Sequence, residues 1–283
     1  MADGRKFSIS RWLPISLPLA VRTFWDYWLI TLASSATLFG FHWLVVSFLP
    51  RYDLKYKLRY IRNMPDVVKA MFGPDLQEII SFTSMGSFGY LHPITLAILM
   101  AMAVMIPTWC LVGQIDRGTI ELLLSTPTSR RKMVFTAILS GVIGGAILTA
   151  SMLLGTWVGM QYTKLPEPLD FHQLFIVAVN LYAIYILCMS VGMLFSSIFS
   201  VRSIAVGFTV AFSVGAYLIH FLSEWWEFLQ KIIFISPLYY FRPFKIASGH
   251  YDPTQDILIL LGISAILLII STIWFSRRDI VVV

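Results

Sequence analysis

Charge is what this chain has least of. Asp, Glu, Lys and Arg make up only 13% of its 283 residues, against about 25% in an ordinary soluble domain. With 58% hydrophobic residues and a mean hydropathy of +0.77, there is too little polar surface to cover a water-soluble particle. That excludes a soluble enzyme and leaves a polytopic membrane protein. Cysteine is nearly absent: Cys110 and Cys188 both fall inside apolar runs, which excludes a disulfide framework and a cysteine metal motif and leaves packing residues. No G-x-x-x-x-G-K-[ST] occurs, so the chain cannot cradle a nucleotide phosphate in the usual way. No HExxH, paired carboxylates or Ser/His arrangement lies within an apolar run, and His42 and Asn180 are the notable polar residues there. An intramembrane enzyme is therefore disfavoured. The net charge of +6 sits in loops near lipid headgroups and on no recurring basic helix face, so no nucleic-acid partner is expected. The start, MADGRKFSISRW, has no apolar run until after Arg22 and does not read as a cleaved signal peptide.

What is present is a set of long apolar runs. Six are long enough to cross a bilayer, at about 27–49, 93–113, 133–160, 173–198, 203–222 and 256–275. The expected class is an all-α polytopic membrane protein forming one transmembrane domain over 1–283. Residues 1–26 mix basic with apolar side chains and are expected to lie along the membrane surface, with a basic tail as the other reading. Trp25, Tyr27 and Trp28 cluster where amphipathic rings favour the headgroup level. Residues 51–91 read as a polar outer loop, with a short helix at 65–72, and with Gly86, Gly89 and Pro93 loosening the approach to the second span. Residues 223–251 hold an apolar piece too short to cross, broken at Ser236-Pro237, and read as a re-entrant segment. In the third span, Gly141 with Gly145 and Gly155 with Gly159 are spaced to place small residues on one helix face for close packing, although glycine is also simply common in membrane helices. His42, His92, His172, His220 and His250 fall toward one face; none is paired at ligand spacing, and no metal site is expected.

The stretch 114–132, QIDRGTIELLLSTPTSRRK, is the most informative. It is too short for a soluble domain and is pinned between two spans. Ile120 to Leu124 can form a short helix, which Ser125, Thr126 and Pro127 end. Arg130, Arg131 and Lys132 sit at the mouth of the third span. The basic residues of the short loops favour both termini and this loop on the inner side.

The run GQIDRGTIELLLSTPTSRRKMVFTAIL resembles the signature region of the ABC-2 type permeases, the membrane subunits of one class of ATP-driven transporters. The matching positions are Asp116, Arg117, Gly118, Thr119, Glu121, Leu122, Leu123, Ser125, Pro127 and Arg130. The resemblance departs at Gln114-Ile115-Asp116, where many members carry a Glu one turn earlier. It extends to the six spans, an interfacial N-terminal helix, the Ser236-Pro237 break and the terminal WFSRRD. It implies a multi-pass protein of the cell membrane with cytoplasmic termini, and a cytoplasmic coupling helix in 114–132 that sits in a cleft of a separate ATPase. Asp116, Arg117 and Glu121 would make polar contacts to that ATPase, while Leu122 to Leu124 pack into its cleft or back on the spans. It further implies a second permease protomer, identical or not, with ATP and Mg held by the partner and no cofactor in this chain. The expected function is a permease, an exporter coupling ATP hydrolysis to substrate movement. The alternative is a subunit that transmits ATPase motion to an outer-face protein at 51–91 without moving a substrate. Spans almost free of ionisable side chains suit a lipid-like or bulky apolar cargo better than a naked ion.

Overall fold

Six helices of the computed structural model are long and apolar enough to cross a membrane. The structure describes residues 17–51, 63, 65, 81–120, 129–165, 167–223 and 225–278. The first span is α1, Leu17–Phe48. It begins well before the residue 27 expected from composition. Residues 17–26 were expected to lie along the surface, but they continue into the span as one helix. Pro18 falls in its first turn, where a missing N–H costs nothing, and no breaker follows it. Residues 1–16 lie outside the described residues, as do the acidic and basic stretch that follows Arg51 and all but Pro65 of the short helix expected at 65–72.

The largest departure from the sequence reading is α2, Phe82–Leu91. The outer loop was expected to run to residue 91, yet its last ten residues form this helix, capped by Ser81, whose Oγ accepts from the Ser84 N–H at 3.1 Å. Gly86 and Gly89 do not loosen the chain but lie within this helix. Gly89 lets α2 approach α1: a Cβ there would lie 3.3 Å from His42 Nδ1. Thr83 Oγ1 accepts from the Asp170 N–H at 2.9 Å, tying α2 to the start of the fourth span.

The second span is α3, Pro93–Cys110, with proline at its first position and His92 as N-cap. Pro107 sits inside it and removes one backbone donor, and the helix ends three residues later. Leu111 breaks the line before a short helix, α4, Val112–Asp116. The third span, α5, Arg130–Tyr162, is capped by Ser129. The fourth, α6, Phe171–Ile198, is capped by Asp170, whose carboxylate accepts from the N–H groups of His172 and Gln173. The fifth is α7, Arg202–Leu222.

The stretch between the fifth and sixth spans does not cross. It folds into α8, Glu227–Ile232, then a 3-10 turn, then a sharp corner at Ser236. The Ser236 hydroxyl donates to the Ala216 carbonyl of α7 at 2.8 Å, which holds the corner against that span. A second 3-10 turn, Pro237–Tyr240, leads to α9, Pro243–Ala247. In α9, Phe244 and Ile246 are fully buried, and the helix packs on α2 and α6. The sixth span is α10, Thr254–Arg277.

The core is built around α6, which packs on α3, α5, α7 and α10. Of its most apolar window 78% is buried, against 22% in α1 and 17% in α7 and in α10. Between their ends, the large side chains that those three helices expose are Leu, Ile, Val, Phe and Trp, the composition a lipid-facing surface requires.

Candidate functional site

Asp116, Arg117, Gly118, Thr119 and Arg130 are among the described residues; Glu121, Leu122, Leu123 and Pro127 are not, because 121–128 lie outside them. What can be built is therefore the two roots of the 114–132 segment. Both lie on the face of the molecule where α3 ends, α5 begins and α6 turns into α7.

At the first root, the backbone tightens after α4. The Gly118 N–H donates to the Ile115 carbonyl at 2.9 Å, and Gly118 takes φ +68°, a conformation that L side chains rarely adopt. Thr119 Oγ1 donates to Gln114 Oε1 at 2.7 Å, and Gln114 Nε2 donates to the Trp109 carbonyl at 3.4 Å. This short chain of bonds joins the end of the turn to the last turn of α3. Ile120 is fully buried in an apolar cluster with Leu111 and Ile115, with Met133, Val134 and Ala137 of α5, with Met193 of α6 and with Phe275 of α10. The segment thus leaves α3 through a fixed turn and is pinned by Ile120 among three spans.

Arg117 folds back along the same root. Its Nε donates to the Gly113 carbonyl at 2.9 Å, and its guanidinium carbon lies 4.3 Å from the centre of the Trp109 ring. Arg202, at the start of α7, lies over the same ring at 4.8 Å. Trp109 Nε1 in turn donates to Asp26 Oδ2 of α1 at 3.5 Å. Such cation–ring contacts contribute about 0.5–2 kcal/mol each. Asp116 is exposed and faces away from the apolar cluster that takes Ile115 and Ile120.

At the second root, Arg130 donates through Nη1 to the carbonyl of Arg278. The Arg278 guanidinium donates to the carbonyls of Ser197 at 3.1 Å and Phe199 at 2.9 Å, and to the Ser200 hydroxyl. Partial burial draws its basicity below the ordinary arginine value without removing the charge. One cation therefore satisfies the open carbonyls at the end of α6 and, through its own backbone, receives the first residue of α5.

Of the packing glycines, the structure assigns the two pairs to different partners. A Cβ on Gly141 or Gly145 would fall 2.2 Å from Met189 Sδ or 2.1 Å from Tyr185 Cε1, both on α6. A Cβ on Gly155 would fall 2.2 Å from the Phe39 carbonyl oxygen, and one on Gly159 would fall 2.7 Å from Val46 Cβ, both on α1. Asn180 is fully buried in α6. His42 is buried and lies with Nε2 3.3 Å from Thr95 Oγ1. Among the described residues no three His, Cys, Asp or Glu side chains approach one another closely enough to hold a metal.

Sequence reasoning put Arg202 and Arg278 on the same side as the 114–132 segment but gave them no partner there, and it did not single out Trp109. Trp109 and Arg202 are brought together only by the packing of α3 on α7, and no local spacing announces that. Arg278 stood in the WFSRRD ending, where the Arg277-Arg278 pair just past a span was its only signal.

Residues 26–280 match the family model described as ABC-2 family transporter protein. No curated protein matches the chain.

Proposed function

The chain belongs to the ABC-2 family of transporter proteins, a membrane subunit of an ABC transporter, and from that premise we propose that it is the permease of an exporter whose ATP is hydrolysed by a separate subunit. In this reading the termini and the 114–132 segment face the cytoplasm. ATP and magnesium are held by the partner, and two permease protomers enclose the pathway. Closure of the nucleotide-binding subunits moves the coupling helix expected after Gly118, with Asp116 and Glu121 as the polar contacts and Arg117 holding the root on Trp109. Rigid movement of packed helices past one another is a standard means of switching between two states.

The observation that carries this reading is the anchoring of the segment's first root. Gly118 turns with φ +68°, Arg117 is stacked on Trp109, and Ile120 is buried against α5, α6 and α10. A displacement applied at this root meets a fixed turn and a buried side chain. It is passed to the spans on which these three residues rest.

The test is reconstitution with the ATPase in sealed vesicles. Gly118→Pro forces φ to about −65° where the chain needs +68°, and Glu121→Ala removes a charge without altering the backbone. Both variants are expected to insert and to retain the ATPase, while ATP turnover no longer responds to cargo and transport falls at least tenfold. Normal transport by both variants would overturn the coupling role.

A further inference from the structure

Three helices meet at the corner where α2 turns into α3, and two histidines stand in it. His92 caps α3. Pro93, the first residue of that helix, has no N–H, and the next backbone donor, that of Ile94, is accepted by His92 Nδ1 at 3.3 Å. An imidazole that accepts through Nδ1 is neutral and carries its proton on Nε2. The His92 ring lies 4.8 Å from that of Phe41 on α1 and 5.6 Å from that of Phe88 on α2.

The turn of α3 that this bond caps contains Thr95. Its Oγ1 donates to the Gly89 carbonyl of α2 at 2.7 Å. The hydroxyl has one proton, so in its 3.3 Å contact with His42 it accepts, and His42 Nε2 donates. A single hydroxyl on the first turn of α3 thus joins α1, α2 and α3. His42 is buried, and its ring lies 4.5 Å from that of Tyr90.

A second proton can enter the His92 ring only at Nδ1, the atom that accepts from Ile94. It removes the cap and sets a positive charge at the N-terminus of an 18-residue helix, where the aligned peptide dipoles oppose it. No carboxylate among the described residues acts on His92 to compensate. From α1 the ring is faced by His42, and from α2 by Tyr90, whose hydroxyl is bonded to Thr156 Oγ1 of α5 at 3.0 Å. Helix α3 has no carboxylate or basic side chain, and α5 has none after Lys132. Arg51, beyond the end of α1, lies over the Phe48 ring at 4.8 Å. The Phe41 and Phe88 rings attract a cation and offset part of the cost. Burial adds to the cost and holds the His92 imidazole below its ordinary value.

We infer that the α2–α3 corner is a clasp released by acid: protonation of His92 frays the first turn of α3, Thr95 leaves Gly89 and His42, and α2 loosens from α1. The 18 residues of α3 measure about 27 Å at ~1.5 Å per residue, close to the hydrocarbon thickness of about 30 Å. The corner therefore lies across the bilayer from the 114–132 segment and responds to the pH of that other side. The sign follows from the lowered value of the folded state. The neutral ring stabilises the corner fully above about pH 6.5, and this is lost as pH falls from there through the folded value. The clasp does not rest on the function proposed above.

The experiment is hydrogen exchange, read by mass spectrometry, on the purified full-length chain in lipid nanodiscs without an ATPase. Labelling times are scaled to the chemical exchange rate at each pH. In the wild type, protection of the amides in 88–98 is expected to fall about five- to tenfold between about pH 7.5 and about pH 5, while amides of the buried helix α6 keep theirs. His92→Asn retains a side-chain oxygen for the Ile94 N–H but does not titrate, so its protection over 88–98 should be the same at both pH values. Unchanged or increased wild-type protection at the lower pH overturns the clasp. So does an equal fall in His92→Asn, which would place the titration elsewhere. Should His92→Asn fail to insert, the wild-type titration decides. A fall that begins near pH 6.5 supports the clasp, and one that begins only near pH 4, the carboxylate range, overturns it. With no ATPase or cargo present, either result leaves the coupling reading intact, and failure of coupling leaves the clasp intact.

Discussion

At the scale of single residues, Arg278 is the cation with most to lose. Its guanidinium donates to Ser197, Phe199 and Ser200, and a hydrogen bond from a charged donor contributes about 1.5–3 kcal/mol before solvent screening. Arg278→Ala should lower stability by about 1–3 kcal/mol, read as a fall in the melting temperature of the purified protein. Arg278→Lys should recover only part, because one ammonium cannot reproduce a planar fork reaching three oxygens. On the opposite face, burial and the 2.7 Å hydrogen bond to Asp256 push the Tyr251 hydroxyl up to about 12. A raised value favours the neutral phenol in the folded state. Its stabilisation is therefore complete below the ordinary value near 10 and is lost as pH rises from about 10 through about 12. Tyr251→Phe cannot ionise, so the gap in melting temperature between wild type and variant should change across that window and stay constant below it. Trp109 meets Arg202 from 93 positions away, and Arg278 meets Ser197, Phe199 and Ser200 from 81, 79 and 78 positions away, so the charges were visible in the sequence but their partners were not.

At the scale of elements, the two glycine pairs of α5 make separable claims. The Phe39 backbone cannot yield as a flexible side chain can, so Gly155→Ala must push α1 away from α5. Gly207→Ala, with nothing within 4 Å of its added carbon, meets open space. The first should destabilise the purified protein by about 1–3 kcal/mol, the usual cost of overpacking. The second should be neutral or stabilising, since alanine is the better helix former. A thermal melt of both variants distinguishes tight packing from mere glycine content. The six spans were legible because bilayer thickness imposes a minimum apolar length, and residues 133–160 and 203–222 are recovered within α5 and α7. Element ends were less so. Nothing between Arg22 and Trp25 signals whether a helix has already begun, and α1 starts at Leu17. Helix α2 was hidden because Gly86 and Gly89 have low helix propensity, and only the approach of His42 explains a glycine at 89. The break at Leu111 follows from Pro107, which was present in the sequence but lay inside an otherwise continuous apolar run.

At the scale of the whole molecule, burial is unequal in a way that constrains movement. The hub, α6, is held on several sides by protein, whereas α1, α7 and α10 leave most of their apolar residues outside the packed interior. A shift of α6 would disturb the packed interior on every side, whereas α7 and α10 have fewer packed neighbours to disturb. Helix length adds a further consequence. α1 has 32 residues and α5 has 33, so each measures about 50 Å at ~1.5 Å per residue, against a hydrocarbon layer of about 30 Å. Gly155 and Gly159 fasten the two together through the α1 backbone, so neither can lean without the other. In a thinner bilayer this doubled mast must tilt as a unit or stand further out into water.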